Sequence, residues 1–156
     1  NQLEDPEMIE ALSGATTAGV TVDLIIRGFC CLRPGISGRT EGIRVRSIIG
    51  RFLEHSRIFH FAAALDNPVE GDFFIGSADW MYRNLSKRVE VVTPIMAPPA
   101  KQRLWEILDI CLHDRRQAWE LHNDGSYTRL NPDADTGCET LGTHARLMEL
   151  AERRPR

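Results

Sequence analysis

The sequence predicts an α/β fold, a mixed β-sheet flanked by helices, from three observations. Helical patterns with clear start signals alternate with short apolar strand patterns. The length of 156 residues and the 42% apolar content suit one hydrophobic core. Neither an internal repeat nor an apolar run of about 18 residues is present, so we expect no solenoid and no membrane span.

The first elements are a helix and a strand. Asp5-Pro6-Glu7 is a strong helix start, because Asp accepts free N–H groups and Pro needs no partner in the first turn. The helix is expected to end near Ala18-Gly19, where Gly tolerates a left-handed conformation. Residues 20–26 are mostly β-branched and apolar, which predicts a strand in a mixed or parallel sheet. Residues 28–42, rich in Gly, Pro and Ser, are expected to form a loop.

Three further strand patterns occupy the middle of the chain. Residues 43–49 alternate apolar and basic side chains and predict a short strand. Residues 56–61 and 72–75 predict a hairpin, because a loop with Asp, Asn, Pro and Gly separates them. Residues 89–95 predict another strand, which the pair Pro98-Pro99 stops.

The C-terminal third is predicted to be mainly helical. The longest helix is expected over residues 100–121, with Leu104, Leu108 and Trp119 on its wide apolar face. A short edge strand over residues 126–130 and an amphipathic helix over residues 140–153 are expected to follow.

Charge and cysteine usage narrow the function classes. Residues 27–88 carry ten basic and six acidic side chains in a chain whose net charge is -3. A local basic excess of this kind favours a confined anion site over a broad nucleic-acid surface. None of the four cysteines has C-x-x-C spacing, so we expect buried reduced thiols and neither a zinc site nor a disulfide framework.

The candidate anion-binding residues begin with Arg27, His55 and Arg57. Arg27 follows a predicted strand, where α/β sheets gather ligand-binding groups and where a guanidinium can hold two phosphate oxygens. His55 can exchange a proton near neutral pH or attack phosphorus, although a single histidine is more often structural. Arg57, two residues on, is expected to point to the same face as His55.

Ser77 and Asn84 are candidates from the next turn. Ser77 follows Gly76 at the end of a strand. The side chain of Ser77 or of Asn84 could donate hydrogen bonds to phosphate or to the second nitrogen of His55. The alternative is a strand-ending turn in which Asn84 caps a helix.

His60, His113, His122 and His144 lack a motif and are expected to be structural or surface residues. Trp80 is expected to pack within the turn, with base stacking as the alternative, and six further arginines could extend an anion channel or remain solvated: Arg33, Arg44, Arg46, Arg51, Arg83 and Arg88.

Over residues 3–121 the chain resembles the C-terminal catalytic domain of the polyphosphate kinase family. The resemblance rests on separate blocks in one order: LEDPEMIEAL, VDLIIRGFCCLRPG, IRVRSIIGRFLEHSRIF, GSADWMYRNL and RVEVVTPI. The order of histidine, hairpin, Gly-Ser and Asn also resembles one half of a phospholipase D active site. That superfamily has an Asp five residues after the position of Arg57, and this chain has none there.

The resemblance implies a phospholipase D-like domain over residues 1–122 and an extension over residues 123–156 that packs on it. It implies reversible, Mg²⁺-dependent transfer of the terminal phosphoryl group of ATP to inorganic polyphosphate, through a phosphohistidine on an upstream domain. Arg27 matches an ATP-phosphate contact and His55 an acid or base. Arg57, Ser77 and Asn84 complete the implied phosphate site.

The implied partners are ATP or ADP, polyphosphate, the upstream domains of the same polypeptide and a second subunit in a homo-oligomer. The Mg²⁺ ligands are expected upstream, so no metal ligand is assigned in this chain. Because the chain starts at Asn1 without Met, we expect a segment of a longer polypeptide that folds alone but does not synthesise polyphosphate. The expected location is cytoplasmic, with peripheral inner-membrane association left open, and no nucleic-acid partner is expected.

Two other functions remain open on the sequence. One is a phospholipase D-type phosphodiesterase or nuclease half, which needs a second copy of the histidine motif. The other is a non-catalytic polyanion-binding module, in which replacing His55 leaves turnover unchanged.

Overall fold

Two β-sheets and four helices make up the part of the chain, residues 1–131 and 141–153, that the computed structural model describes. The helices are α1 (Pro6–Thr17), α2 (Tyr82–Lys87), α3 (Pro98–His113) and α4 (Thr143–Glu152), with a 3₁₀ helix at Pro68–Glu70. The strands are β1 (Val22–Ile25), β2 (Ile43–Ile48), β3 (Ile58–Phe61), β4 (Asp72–Gly76), β5 (Val92–Pro94), β6 (Ala118–Leu121) and β7 (Tyr127–Arg129). The predicted α/β class is confirmed, with two sheets where one was expected. Within the described ranges, no helix has the length and apolar character needed to cross a membrane.

Helix α1 forms where its capping signals predict it. The Asp5 carboxylate accepts a hydrogen bond from the Met8 N–H at 3.0 Å, and Pro6 occupies the first turn. Gly19 follows the helix at φ +91°, in the left-handed region. The inner face of α1 packs Met8 and other apolar side chains against the main core.

The larger sheet has the strand order β1-β2-β6-β7. Strand β1 runs parallel to β2, whereas β6 and β7 add as antiparallel strands. Leu24, Ile43 and Val45 on β1 and β2 are buried beneath α1 and form the centre of the core. The parallel pairing brings the end of β1, and therefore Arg27, to one edge of the sheet.

The smaller sheet contains the predicted hairpin. Strands β3 and β4 pair antiparallel with Phe59 opposite Phe74, and β5 pairs with the other edge of β4. The regular part of β5 is shorter than the predicted strand over residues 89–95. Single hydrogen bonds from Ser77 N–H to Val91 O, 3.0 Å, and from Ile95 N–H to Phe73 O, 2.8 Å, continue its pairing at both ends.

The longest helix is eight residues shorter at its C-terminus than the sequence predicts. Helix α3 ends at His113, and the predicted helical residues 118–121 are strand β6 in the larger sheet. The carboxylate of Asp114 accepts hydrogen bonds from the N–H groups of Arg116, 2.7 Å, and Gln117, 2.8 Å, and so turns the chain. At the other end of α3, Pro98 and Pro99 form the first helical turn because neither needs an N–H partner.

The C-terminal elements are an edge strand of the larger sheet and a last helix that contacts α3. Strand β7, within the predicted edge-strand range 126–130, pairs with β6, and α4 covers the described part of the predicted last helix. The division between residues 1–122 and 123–156 stays a prediction.

The cysteines differ in their surroundings. Burial raises the pKa of the Cys111 thiol to about 12, so this side chain is a protonated packing residue. Cys30 is half-buried, but Cys31 is exposed, so the prediction of burial is wrong for Cys31. Cys138 lies outside the described residues.

Candidate functional site

His55 lies in the loop between β2 and β3, and its side chain is exposed. The carboxylate of Glu54 accepts a hydrogen bond from the N–H of Ser56 at 2.7 Å, which fixes the backbone on both sides of His55. Burial opposes ionisation of Glu54, but hydrogen bonds from Ser56 and from the His55 N–H hold the pKa of Glu54 below its usual value. His55 is therefore presented to solvent on a backbone that is locally held.

Arg57 orients the ring of His55. Its Nη1 lies 2.7 Å from His55 Nδ1 and 3.0 Å from the His55 carbonyl oxygen. Because a guanidinium can only donate, His55 Nδ1 accepts, and the proton of the neutral ring is on Nε2. The ring thus offers an Nε2–H group to a ligand.

Arg57 is itself held by Asp79, a residue that the sequence reasoning missed. Arg57 Nε lies 3.1 Å from Asp79 Oδ1, and only 12% of the arginine and 3% of the aspartate side chain are exposed. This Asp is supplied by the turn after Gly-Ser, not by the position five residues after Arg57. An acidic residue between Ala78 and Trp80 in an otherwise apolar turn was the signal available.

Ser77 and Asn84 converge on a second missed carboxylate, Glu90. The Ser77 hydroxyl donates to one Glu90 oxygen and accepts from the Val91 N–H at 3.1 Å. The Asn84 amide donates to the other Glu90 oxygen at 2.7 Å. Asn84 is 3% exposed, and its Oδ1 has no hydrogen-bond partner among the described residues. Glu90 accepts from both side chains in this structure. A phosphate-binding role for Ser77 and Asn84 stays a prediction.

We predict that Glu90→Gln makes stability less sensitive to acid. Hydrogen bonds from Ser77 and then from Asn84 lower the pKa of Glu90 from 4.5, so its ionised form stabilises the fold. That stabilisation is full above pH 4.5 and is lost as the pH falls through the lowered pKa of the folded state. Denaturant midpoints measured at neutral pH and at several pH values below 4.5 test this.

The matched control for the loss of one negative charge is Glu10→Gln. Glu10 is an exposed carboxylate on α1 that pairs with exposed Arg39 across 3.5 Å. We expect the Glu10 variant to follow the acid profile of the unmodified chain. Parallel profiles for the Glu90 and Glu10 variants would contradict the prediction.

Arg27 lies directly beyond β1, beside a cavity of about 410 Å³. Arg27 Nε donates to Asn1 Oδ1 at 2.9 Å, and the Arg27 carbonyl accepts from the Ser47 hydroxyl at 3.2 Å. The cavity is lined by two guanidinium groups and three aromatic rings: Arg27, Arg33, Phe29, Trp119 and Tyr127. It combines positive charge with flat apolar surface.

The N-terminal segment joins Arg27 to the His55 cluster, which consists of His55, Arg57 and Asp79. Leu3 forms backbone bridges to Cys30, beyond Arg27, and to Trp80, next to Asp79. The hydrogen bonds include Cys31 N–H to Leu3 O at 2.8 Å and Glu4 N–H to Trp80 O at 2.8 Å. Trp80 stacks on Phe59 with ring centroids 5.3 Å apart, so it is a packing residue as predicted. Leu3 thereby connects the loop that follows Arg27 to the turn that contains Asp79.

Most other predicted channel residues and histidines have structural partners. Arg33 lines the cavity, Arg44 pairs with Asp23, Arg46 donates to the Leu112 carbonyl, Arg51 lies over the Phe52 ring, and Arg83 and Arg88 are exposed. His60 packs between Phe73 and Trp105, His113 pairs with Asp109, His122 contacts Thr128, and His144 is buried.

No cluster of three or more His, Cys, Asp or Glu side chains within residues 1–131 and 141–153 could hold a metal ion.

The family model for the polyphosphate kinase C-terminal domain 2 matches residues 1–140. The chain belongs to this family. The matched range includes Arg27, the His55 cluster and Glu90, so the resemblance inferred from sequence blocks is confirmed and extends beyond residue 121.

The polyphosphate kinase relatives are much longer than this chain. The protein from Synechocystis sp. is 55% identical over 85% of this chain and 18% of its own length. The protein from Thermosynechococcus vestitus is 53% identical over 95% of this chain and 19% of its own length. The protein from Pseudomonas aeruginosa is 48% identical over 96% of this chain and 21% of its own length. The chain thus spans about a fifth of these relatives.

A solved structure has the same fold. The crystal structure of polyphosphate kinase from Porphyromonas gingivalis matches with a TM-score of 0.83 and 33% sequence identity. The match covers 97% of this chain and 23% of that one, so the polyphosphate kinase domain fold extends through nearly all of the chain.

Proposed function

We propose that this domain forms half of a polyphosphate kinase active site and assists reversible phosphoryl transfer from ATP to inorganic polyphosphate. One observation carries the proposal: Arg57 orients His55 while it is anchored by buried Asp79. Holding a ligand-binding ring by a buried ion pair pre-organises the site and reduces reorganisation when charge develops. The family match favours this function over the phosphodiesterase half and over the non-catalytic module.

His55 and Arg57 stabilise the transferred phosphoryl group. The Nε2–H of His55 donates a hydrogen bond to a phosphoryl oxygen, and the guanidinium of Arg57 adds positive charge beside it. Phosphoryl transfer needs mainly positioning and charge neutralisation, which these two groups supply. Acting as a base at Nε2 would require His55 to move its proton to Nδ1 and to release Arg57.

Arg27 and the cavity beside it hold the nucleotide. The guanidinium of Arg27 pairs with phosphate oxygens of ATP, for which its planar group is suited. The aromatic rings of the cavity, Trp119 among them, offer stacking surface for the base, and Arg33 adds a second positive charge.

The rest of the reaction belongs to the longer enzyme. The bond between the γ-phosphorus and the bridging oxygen of ATP breaks, and ADP leaves. Phosphorus bonds to a histidine nitrogen of an upstream domain, and the terminal oxygen of polyphosphate later displaces it. Mg²⁺, a homo-oligomeric assembly, and a cytoplasmic location that allows peripheral inner-membrane association are parts of this proposal. The division between residues 1–122 and 123–156 is also part of this proposal. The domain alone is not expected to make polyphosphate.

Calorimetric titration of the domain with tripolyphosphate and with ATP, at two salt concentrations, tests the site directly. We expect salt-sensitive binding of both ligands, since phosphate contacts are electrostatic. Arg27→Ala and His55→Ala are each expected to weaken binding by roughly tenfold or more, the effect of losing a charge-assisted hydrogen bond.

Two matched variants control for nonspecific charge loss. Arg44→Ala removes an exposed arginine, and His113→Ala removes an exposed histidine that pairs with Asp109. Both should leave the affinity for tripolyphosphate unchanged. Equal affinity in all four variants would overturn the assignment of Arg27 and His55.

Turnover by the full-length enzyme separates the three functions. We expect His55→Ala to reduce ATP-dependent polyphosphate synthesis by roughly 10² to 10³-fold, the usual cost of removing one hydrogen-bond donor aimed at charge that develops in the transition state. Unchanged turnover would support the non-catalytic module. If the enzyme releases nitrophenol from bis-nitrophenyl phosphate and the His55 variant does not, the phosphodiesterase function would be supported.

A further inference from the structure

The loop that carries His55, residues 49–57, rests on the N-terminus of α4. His144, the second residue of this helix, is 3% exposed and lies directly beneath the loop. Its Nδ1 lies 3.3 Å from the N–H of Phe52, three residues before His55. The Phe52 ring also meets the His144 ring edge to face, with centroids 5.4 Å apart.

Gln117, the residue immediately before β6, completes the junction. Its carbonyl accepts from the Ile49 N–H at 3.0 Å, which fixes the first residue of the loop. Its side-chain oxygen accepts from the His144 N–H at 3.0 Å, and its Nε2 lies 3.5 Å from His144 Nδ1. The loop, β6 and α4 are therefore joined through two side chains.

Two glycines allow this close approach. A Cβ on Gly50 would lie 2.6 Å from His144 Nδ1 and 1.8 Å from the Gln117 amide nitrogen. Gly142, at φ +74°, precedes α4, and a Cβ there would lie 2.8 Å from the Gln117 side-chain oxygen. The junction is thus shaped on both sides by backbone without side chains.

The hydrogen bonds define which ring nitrogen of His144 acts as the acceptor. A backbone N–H can only donate, so Nδ1 accepts from Phe52, and the ring proton is on Nε2. His144 Nε2 has no hydrogen-bond partner among the described residues. The acceptor at the Nδ1 position is therefore the contribution of this ring to the loop.

We infer that His144 is a positioning residue for His55: it holds the Phe52 N–H and so fixes the loop that presents the His55 ring to phosphate. This inference rests on the proposed function for the phosphate-binding step, but not for the loop contact itself. Nothing in the sequence pattern around His144 pointed to this role, because it depends on residues 92 positions apart.

The test compares two replacements of His144 in the domain. His144→Leu fills much of the buried volume with an apolar side chain but removes the acceptor, whereas Asn Oδ1 in His144→Asn takes the place of Nδ1. We expect His144→Leu to speed hydrogen exchange at the Phe52 amide about tenfold, and to weaken tripolyphosphate binding about threefold to tenfold. His144→Asn is expected to keep both values near those of the unmodified domain, because its Oδ1 supplies the acceptor, whereas both variants lose the ring contact with Phe52.

His113→Leu is the matched control, since His113 is an exposed histidine at the end of α3. It should leave the Phe52 amide and the binding of tripolyphosphate unchanged. If His144→Leu proves too unstable to measure, ¹⁵N spectra of the unmodified chain still decide the matter. An unprotonated His144 Nδ1 supports the inference, and a protonated Nδ1 overturns it.

The outcomes separate this inference from the proposed function. Failure of the unmodified domain to bind tripolyphosphate counts against the proposed phosphate site, while the exchange rates still test the positioning of the loop. Unchanged exchange at Phe52 in His144→Leu, or an Asn variant that behaves like the Leu variant, would overturn the positioning role.

Discussion

Arg57→Met is expected to destabilise the domain by about 3 kcal/mol and to remove tripolyphosphate binding. The arginine and Asp79 form a pair in which the carboxylate is 3% exposed, so removing the guanidinium leaves a buried charge without its partner. Met preserves much of the side-chain volume, which restricts the effect to charge and hydrogen bonding. The same change releases His55 Nδ1 and lets the ring rotate. Urea denaturation and calorimetric titration measure the two effects.

Arg44→Met is the matched control for the Arg57 variant. Arg44 also pairs with an aspartate, Asp23, at 2.8 Å, but 59% of the arginine side chain is exposed. Exposed pairs contribute little, so we expect a loss below about 1 kcal/mol and unchanged binding. Adding Asp79→Asn to Arg57→Met should recover part of the stability but none of the binding. Equal losses in the free energy of unfolding for the two arginine variants would contradict a larger contribution from the buried pair.

Asp114→Ala is expected to cost about 4 kcal/mol, because one carboxylate connects three elements. Besides turning the chain after α3, Asp114 accepts from the N–H and the hydroxyl of Thr143, both at 2.7 Å. Asp114 is 2% exposed and Thr143 0%, so alanine leaves both Thr143 donors buried without an acceptor. The free energy of unfolding and the exchange rate of the Thr143 amide check this.

Asp109→Ala provides the comparison on the same helix. Asp109 is 48% exposed and pairs with exposed His113, so its loss should change stability by no more than about 0.5 kcal/mol. Asp114→Asn keeps one acceptor oxygen and should fall between the two alanine variants. A small effect of Asp114→Ala would mean that α4 stays attached through other contacts.

Local signals explain the parts of the fold that the sequence predicted well. Helix α1 follows from Asp5 and Pro6 at its start and Gly19 at its end, since each of these residues acts within one turn of its position. The β3–β4 hairpin follows from two apolar runs joined by a polar turn. The helical prediction for residues 118–121 was wrong because a long-range contact, not a local signal, decides their structure. Pairing of β6 with β2 overrode local propensity, and periodicity cannot show that.

In the candidate site, too, local spacing predicted some contacts and long-range packing decided the others. His55 and Arg57 are two residues apart, and spacing alone was enough to predict that their side chains lie side by side. Asp79 and Glu90 were missed, because a carboxylate acquires its role only when the fold brings a partner to it. Glu90 is the acceptor for both Ser77 and Asn84, and neither pairing follows from separations of 13 and 6 residues.

By itself, the sequence determined the α/β class, the family and the residue types of the candidate site, because short-range periodicity, capping and motif order encode them. Tertiary structure alone decided which carboxylates contact those residues, which helix supports the His55 loop and how the N-terminal segment connects the loop after Arg27 to the turn of Asp79. The physical reason is that buried ion pairs and hydrogen bonds join groups from separate elements. Their partners are selected by three-dimensional packing, which no local pattern in the chain records.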